Sequence, residues 1–211
     1  MQARRIAREL ALLSISQLPA KQERLTTQKL QDIVVAAIRT LATDARDTLE
    51  TAVGELQRGN SRLLSSETRA SDVEAAREMV REAIDLTETA INRVGRTFEI
   101  PELLQLADQP EVRAYSLEIL TRFNEERQEV DQALTNALVG WQLDRLAKID
   151  RDILRIAVTE MMYLGLRVEY AINEAVELAK RYSDEEGYKF INGVLRRVTE
   201  QMRASAKARN L

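Results

Sequence analysis

Neither cysteine nor histidine occurs among the 211 residues. Without cysteine no disulfide can form, so nothing points to an oxidising compartment. Zinc sites built on Cys or His are excluded, and so are His-based catalytic triads and His proton shuttles. Aromatics are sparse, with a single tryptophan, and only seven glycines and three prolines punctuate the chain. Ala, Leu, Glu and Arg are abundant instead, a mixture that favours helices and gives strands little to build with. No apolar run approaches the roughly 18 residues of a membrane span. The N-terminus is basic, but the charged Arg8 and Glu9 interrupt the apolar residues behind it and make it a poor secretory signal. The cytoplasm is the expected location. The net charge of −3 differs from that of a globally basic nucleic-acid binder, so any RNA role must come from a local patch.

The length fits one good-sized domain, or one domain with an extension. Residues 3–17 read as a first helix, with Ile6, Leu10, Leu13 and Gln17 on one side and Pro19 ending it. From 27 to 96 the chain contains no proline and no aromatic. Val35, Ile38, Ala42, Ala45, Leu49, Ala52 and Leu56 follow a heptad pattern, which Gly59-Asn60-Ser61 and a polar run to Ser71 interrupt. Ser71 with Glu74 reads as a capping box. Val73, Ala76, Val80, Ala83, Thr87, Ala90 and Val94 form a second heptad pattern. Together they predict an antiparallel helical hairpin, closely packed because alanine recurs at one core position of both arms. Each arm of about 25 to 30 residues would span roughly 40 Å. Leu30, Val34, Ala37 and Leu41 give its base a broad apolar surface that suits packing on the rest of the chain.

Pro101 and Pro110 bracket a return segment, and further helices carry Val112 to Phe123 and Val130 to Leu138, before Gly140 breaks the pattern. Asp150 is the expected N-cap of a helix from Arg151 to Tyr163, which Gly165 ends. Ile172, Ala175, Val176 and Ala179 mark the next core face. Ser183 and Glu186 suggest a capping box for a last helix whose core face is Phe190 or Ile191, Val194, Leu195 and Val198.

The most specific signal lies in Trp141 to Arg197, in the pieces IDRDILRIAVTEM, AINEAVELAKRY and YKFINGVLRR. In this order, and with ARRIARELAL at the start, they resemble the NusB family of bacterial transcription antitermination factors. The resemblance covers residues 1–18 and about 112–200. It implies an all-α fold: a NusB-like helical bundle over 1–26 and 97–211, with the antiparallel coiled-coil hairpin of 27–96 inserted. Typical members have a far shorter connection there. It also implies a protein without catalytic activity, metal or cofactor. Such a protein binds boxA-type single-stranded RNA in nascent ribosomal RNA transcripts beside the ribosomal protein NusE. In that complex it helps RNA polymerase resist termination.

Carried onto this sequence, the resemblance makes Arg4, Arg5 and Arg8 candidates for RNA contact. Arginine presents a fixed fork of donors to phosphate and stacks on bases. Arg4 and Arg8 lie one helical step apart, near free helix-terminal amides. The alternative is a solvated basic terminus. Ile6 stands where some members have another basic residue, and Ser16 stands where many have an RNA-touching tyrosine. Lys189, Phe190 and Asn192 open the last helix, where a Lys can hold phosphate, a Phe can stack a base and an Asn can bond a base edge. Their alternative roles are core packing and capping, and Asp184, Glu185 and Glu186 require an RNA path that skirts them. Glu160 matches an acid near the NusE-facing surface. Its alternative is an intramolecular ion pair, which is also the reading for Arg155. Trp141 reads as a core anchor rather than a ligand platform.

Rival readings are less complete. Gly54 to Ser61 has the glycine spacing of a phosphate loop, but Asn60 replaces the essential lysine and the segment ends a heptad helix rather than a strand. A helix-turn-helix over 171–197 would point an acidic turn at DNA phosphates. Ribosomal RNA methyltransferases carry a similar RNA-binding front end, yet need a Gly-rich cofactor loop that these residues do not supply. The remaining alternative is a helical interaction or RNA-binding module of ribosome biogenesis, in which the hairpin mediates assembly, as a homodimer among other possibilities.

Overall fold

The computed structural model describes residues 2–19, 25–97 and 100–209, without the side chains of 96, 102, 103 and 206–209. The fold is all-α, as expected. The helices are α1 (Gln2–Ile15), α2 (Thr27–Thr68), α3 (Val73–Thr97), α4 (Ile100–Ala107), α5 (Pro110–Glu125), α6 (Arg127–Ala137), α7 (Lys148–Tyr163), α8 (Val168–Tyr182) and α9 (Gly187–Arg209). A 3-10 turn, Leu143–Arg145, precedes α7. No helix among the described residues is long and apolar enough to cross a membrane.

The chain divides into two compact units: a body of Met1–Ala37 with Leu106–Leu211, and an arm of Ile38–Gln105. These bounds differ from the division at 26/27 and 96/97 drawn on pattern alone. The first turns of α2 belong to the body because Leu30, Val34 and Ala37 are buried there. Leu41, on the arm side, stays half-exposed.

In the body, α7 packs against α1, α5, α6, α8 and α9. Its Ile153, Leu154, Ile156 and Ala157 meet a core that includes Leu10, Ile119, Phe123, Leu134, Ile191 and Leu195, all nearly inaccessible. The α7 N-terminus differs from expectation. The helix begins at Lys148 with Ala147 at its boundary and no side-chain cap. Asp150 lies inside the first turn and accepts a hydrogen bond from the Ser183 hydroxyl. That diverts Ser183 from the expected capping box on α9, and Glu186 pairs with Lys189 instead. Gly140 and Gly165 end their helical segments at φ of 75° and 65°, a conformation that favours glycine.

The arm corrects two expectations. First, α2 runs straight through Gly59-Asn60-Ser61 to Thr68. Two of its hydroxyls are satisfied within the helix: those of Ser61 and Thr68 donate to the carbonyls of Gln57 and Leu64. Gly59 is a close-approach site rather than a break, since a Cβ there would lie 3.2 Å from the Ala83 carbonyl oxygen. The cap of α3 is Asp72, not Ser71. The Ala75 amide donates to Asp72 Oδ1 at 2.9 Å, and the Ser71 hydroxyl supports the same carboxylate. Second, the seam on α2 is rotated from the predicted heptad: Ala52, Glu55 and Gly59 are buried, whereas Leu49 and Leu56 are exposed. On α3 the predicted heptad holds beyond the exposed Val73, with Ala83 and Ala90 buried and Ala76, Val80 and Val94 half-buried. Small residues let the two backbones approach, and the leucines are left on the flank. Arg93 donates to Glu55 at 2.8 Å and Arg62 pairs with Glu82 at 2.8 Å, fixing the register across the arm.

Candidate nucleic-acid interface

The amphipathic α1 buries Ile6, Ala7, Leu10 and Ala11 and keeps Arg4 and Arg5 in solvent. The Arg4 guanidinium lies 5.1 Å from the centroid of the Tyr115 ring. Such stacking uses the ring's negative face and leaves the fork of N–H donors free to point outward. Arg5 Nε stands 4.0 Å from Glu9, a distance at which the ion pair is loose.

Arg8 does not join them at the surface. It is only 4% exposed, and its Nε donates to both carboxylate oxygens of Glu160, at 2.8 and 2.9 Å. Its Nη1 donates to Glu174 at 2.9 Å. The Tyr115 hydroxyl donates to the same Glu160 at 2.5 Å. Burial works against the Arg8 charge, but the hydrogen bond and charge of Glu160, then Glu174, outweigh it and raise its pKa. Burial, followed by the bond to Glu160, pushes the Tyr115 hydroxyl far above the usual phenol range. The RNA-contact expectation for Arg8 therefore gives way to a structural role: its charge is compensated inside the body. Glu160, 1% exposed, is likewise internal and presents no surface to a partner protein. Its family-like position on α7 ties α1 and α5 to the central helix.

A second buried acid does similar work nearby. Glu9 accepts from Arg181 at 3.0 Å and from the Tyr182 hydroxyl at 3.2 Å, fastening α1 to the end of α8. The ion pair given as the alternative for Glu160 is the one found, but its partners and the Glu9 network escaped sequence reading, although one signal was present: Arg8 and Glu9 are adjacent charges inside an otherwise apolar stretch. On a helix whose neighbouring positions are all buried, they needed internal partners.

At the start of α9, Lys189 is exposed and donates to Glu186 at 2.8 Å, which raises its pKa. Ile191, not Phe190, is the core residue. Phe190 is half-buried and meets Trp141 in an edge-to-face contact, with centroids 5.9 Å apart and planes at 66°. Trp141 is 59% exposed, so it is not the core anchor expected. Asn192 is half-exposed and its Oδ1 accepts from Arg196 at 3.3 Å. Arg155 makes the expected internal pairs, with Asp131 at 2.8 Å and Asp152 at 3.3 Å. The candidates thus form two clusters, Arg4 with Arg5 on α1, and Lys189, Phe190 and Asn192 on α9. Among the described residues, no group of acidic side chains could hold a metal ion.

The family model described as NusB family matches residues 66–200. A curated relative from Cyanothece sp. (strain PCC 7425 / ATCC 29141), named transcription antitermination protein NusB, is 63% identical over 207 residues, covering 98% of this chain and 99% of its own. One of the same name from Trichodesmium erythraeum (strain IMS101) is 58% identical over 199 residues, covering 94% and 96%. Alignments this complete run through the arm, so these relatives share its segment. The solved structure of T. maritima NusB is similar at 28% identity and a TM-score of 0.43, over 50% of this chain and 78% of that one. The chain belongs to the NusB family of transcription antitermination proteins.

Proposed function

We propose that the protein binds boxA-type single-stranded RNA of nascent ribosomal RNA transcripts together with the ribosomal protein NusE. It acts in the cytoplasm, without catalysis, as part of the RNA polymerase antitermination complex. The supporting observation is the division of labour on α1. Arg8 and Glu9 are held in internal pairs, while Arg4 and Arg5 stay exposed at the first turn of the helix. Two exposed guanidinium groups beside free helix amides suit phosphate. Lys189, Phe190 and Asn192 extend the surface with a cation, a ring and an amide, the set that recognises unstacked RNA. Glu160 has no place in partner contact; it holds the RNA-facing helix in position. Binding RNA and NusE on one scaffold raises the effective concentration of each near the polymerase.

The test is a fluorescence-anisotropy titration of labelled boxA RNA and a scrambled control, with and without NusE. The expected result is preference for boxA and tighter binding with NusE. Equal binding of both RNAs, unaffected by NusE, would overturn this reading.

One observation favours a second reading, in which the arm mediates assembly. Leu49, Val53, Leu56, Leu63, Ile84 and Ile91 are all exposed along it. Large apolar side chains exposed in such number are characteristic of contact sites. Replacing Leu56 and Ile91 by Lys is expected to abolish any self-association seen by light scattering. Association that persists in this variant would remove the leucine-rich flank as its cause.

A further inference from the structure

We propose that Trp141, braced by Phe190, is a stacking platform for one unpaired base of the RNA; this rests on the RNA-binding reading above. The chain's only tryptophan is kept largely in water, where its ring gains little from burial. Its loop is nonetheless well anchored. Arg197 donates to the Ala137 carbonyl at 2.6 Å and Gln201 to the Asn136 carbonyl at 2.9 Å, tying the end of α6 to α9. On the other side, Leu143 and Leu146 are buried. Between them Gly140 turns the chain at a φ of 75°, a conformation a bulkier residue would resist.

The ring geometry suits a base. Two rings meeting edge to face at 66° form a corner rather than a stack, so ring face is left uncovered on the exposed tryptophan. A flat heterocycle can lie on that face with its edge toward Phe190. Stacking of this kind tolerates any base, because each has a π face. It also depends little on charge, so the acidic turn Asp184–Glu186 does not exclude it. Lys189, next to Phe190 and paired with Glu186, is an exposed cation that an adjoining phosphate could recruit. A platform fixed before binding avoids ordering a mobile side chain when the RNA arrives.

Because Trp141 is the sole tryptophan, its emission reports this site alone. The experiment titrates the full chain with boxA RNA, following tryptophan emission and, separately, the anisotropy of labelled RNA. It is repeated with Trp141→Ala and Trp141→Phe after their urea midpoints are shown to match the parent. The expected result is quenching on RNA addition, about tenfold weaker binding by Trp141→Ala, and substantial recovery in Trp141→Phe. Parent protein that binds RNA with unchanged emission, and Trp141→Ala that binds as tightly, would overturn the platform while leaving the RNA reading intact. Emission that responds to NusE and not to RNA would also overturn it, reassigning the ring to a protein contact. No RNA binding by the parent chain would overturn both.

Discussion

In the body, α7 lies among five helices and fills the space between them with Ile153, Leu154, Ile156 and Met161. In the arm, the corresponding buried positions are held by Ala52, Gly59, Ala83 and Ala90, and the leucines stand outside. The two regions also treat charge differently. The body buries Arg8 against Glu160, and Glu9 with Arg181 at its edge, and both buried acids meet donors on other helices. The arm buries Glu55, with Arg93 on one oxygen and no hydrogen-bond partner for the other. A many-helix core gains stability from filled volume and satisfied networks. The α2–α3 seam of the arm pairs two helices, and its small buried residues let it gain from close backbone approach.

The largest expected effect breaks the body's charge network. Arg8→Ala should destabilise the body by about 3–5 kcal/mol, because Glu160 would be left buried without its main partner. Urea denaturation followed by circular dichroism measures this. A loss below about 1 kcal/mol would show that the pair behaves like an exposed one.

Next comes a reciprocal size test. Leu154→Ala in the body should cost about 2–5 kcal/mol through lost packing and a cavity. In the arm the sensitivity should invert: Leu56→Ala should change stability by less than about 0.5 kcal/mol, whereas Gly59→Leu should cost about 1–3 kcal/mol by overpacking against Ala83. Hydrogen exchange resolved by region would assign each loss. If Leu56→Ala weakens the arm more than Gly59→Leu, the seam has been placed on the wrong face.

Subtler is a pair of carboxyl groups that titrate in opposite senses. In the arm, the Ala75 amide and then the Ser71 hydroxyl lower the pKa of Asp72. Its contribution is present above the unfolded value, near 4, and is lost as pH falls through the lower folded value. In the body, burial raises the pKa of Asp152 despite Arg155. Its sign is opposite: the contribution is present below the unfolded value and is lost as pH rises through the folded one. Carboxyl chemical shifts followed by NMR should show Asp72 titrating below, and Asp152 above, an ordinary aspartate. The reverse order would contradict both assignments.

The same contrast explains what could be read in advance. Most helices, many of their approximate ends and the family motifs were legible because apolar period, proline and glycine are local signals, although Gly59 misled, since α2 runs through it to Thr68. The α7 core face needed nothing more. The seam was legible on α3, where Ala83 and Ala90 sit on the predicted stripe, but not on α2, where Glu55 and Gly59 do not read as core. Ser71 and Asp72 are both good caps, and only the backbone geometry decides between them. At the candidate site, Arg4 and Arg5 were placed correctly at the surface, but Arg8 and Glu160 turn inward because α1, α5 and α7 meet there. Trp141 was expected inside. Its loop, fixed by Gly140 and by Arg197 on a distant helix, holds it outside.

The central claim is that α1 commits Arg8 to internal pairs and offers Arg4 and Arg5 to RNA phosphate. It is tested most directly by the salt dependence of boxA RNA binding for the parent and for Arg4→Ala/Arg5→Ala. Each phosphate contact to a single strand contributes a slope of about 0.7 in log affinity against log salt. The account predicts weaker binding and a slope reduced by about 1.4, at unchanged urea stability. The same affinity and the same slope as the parent would contradict it.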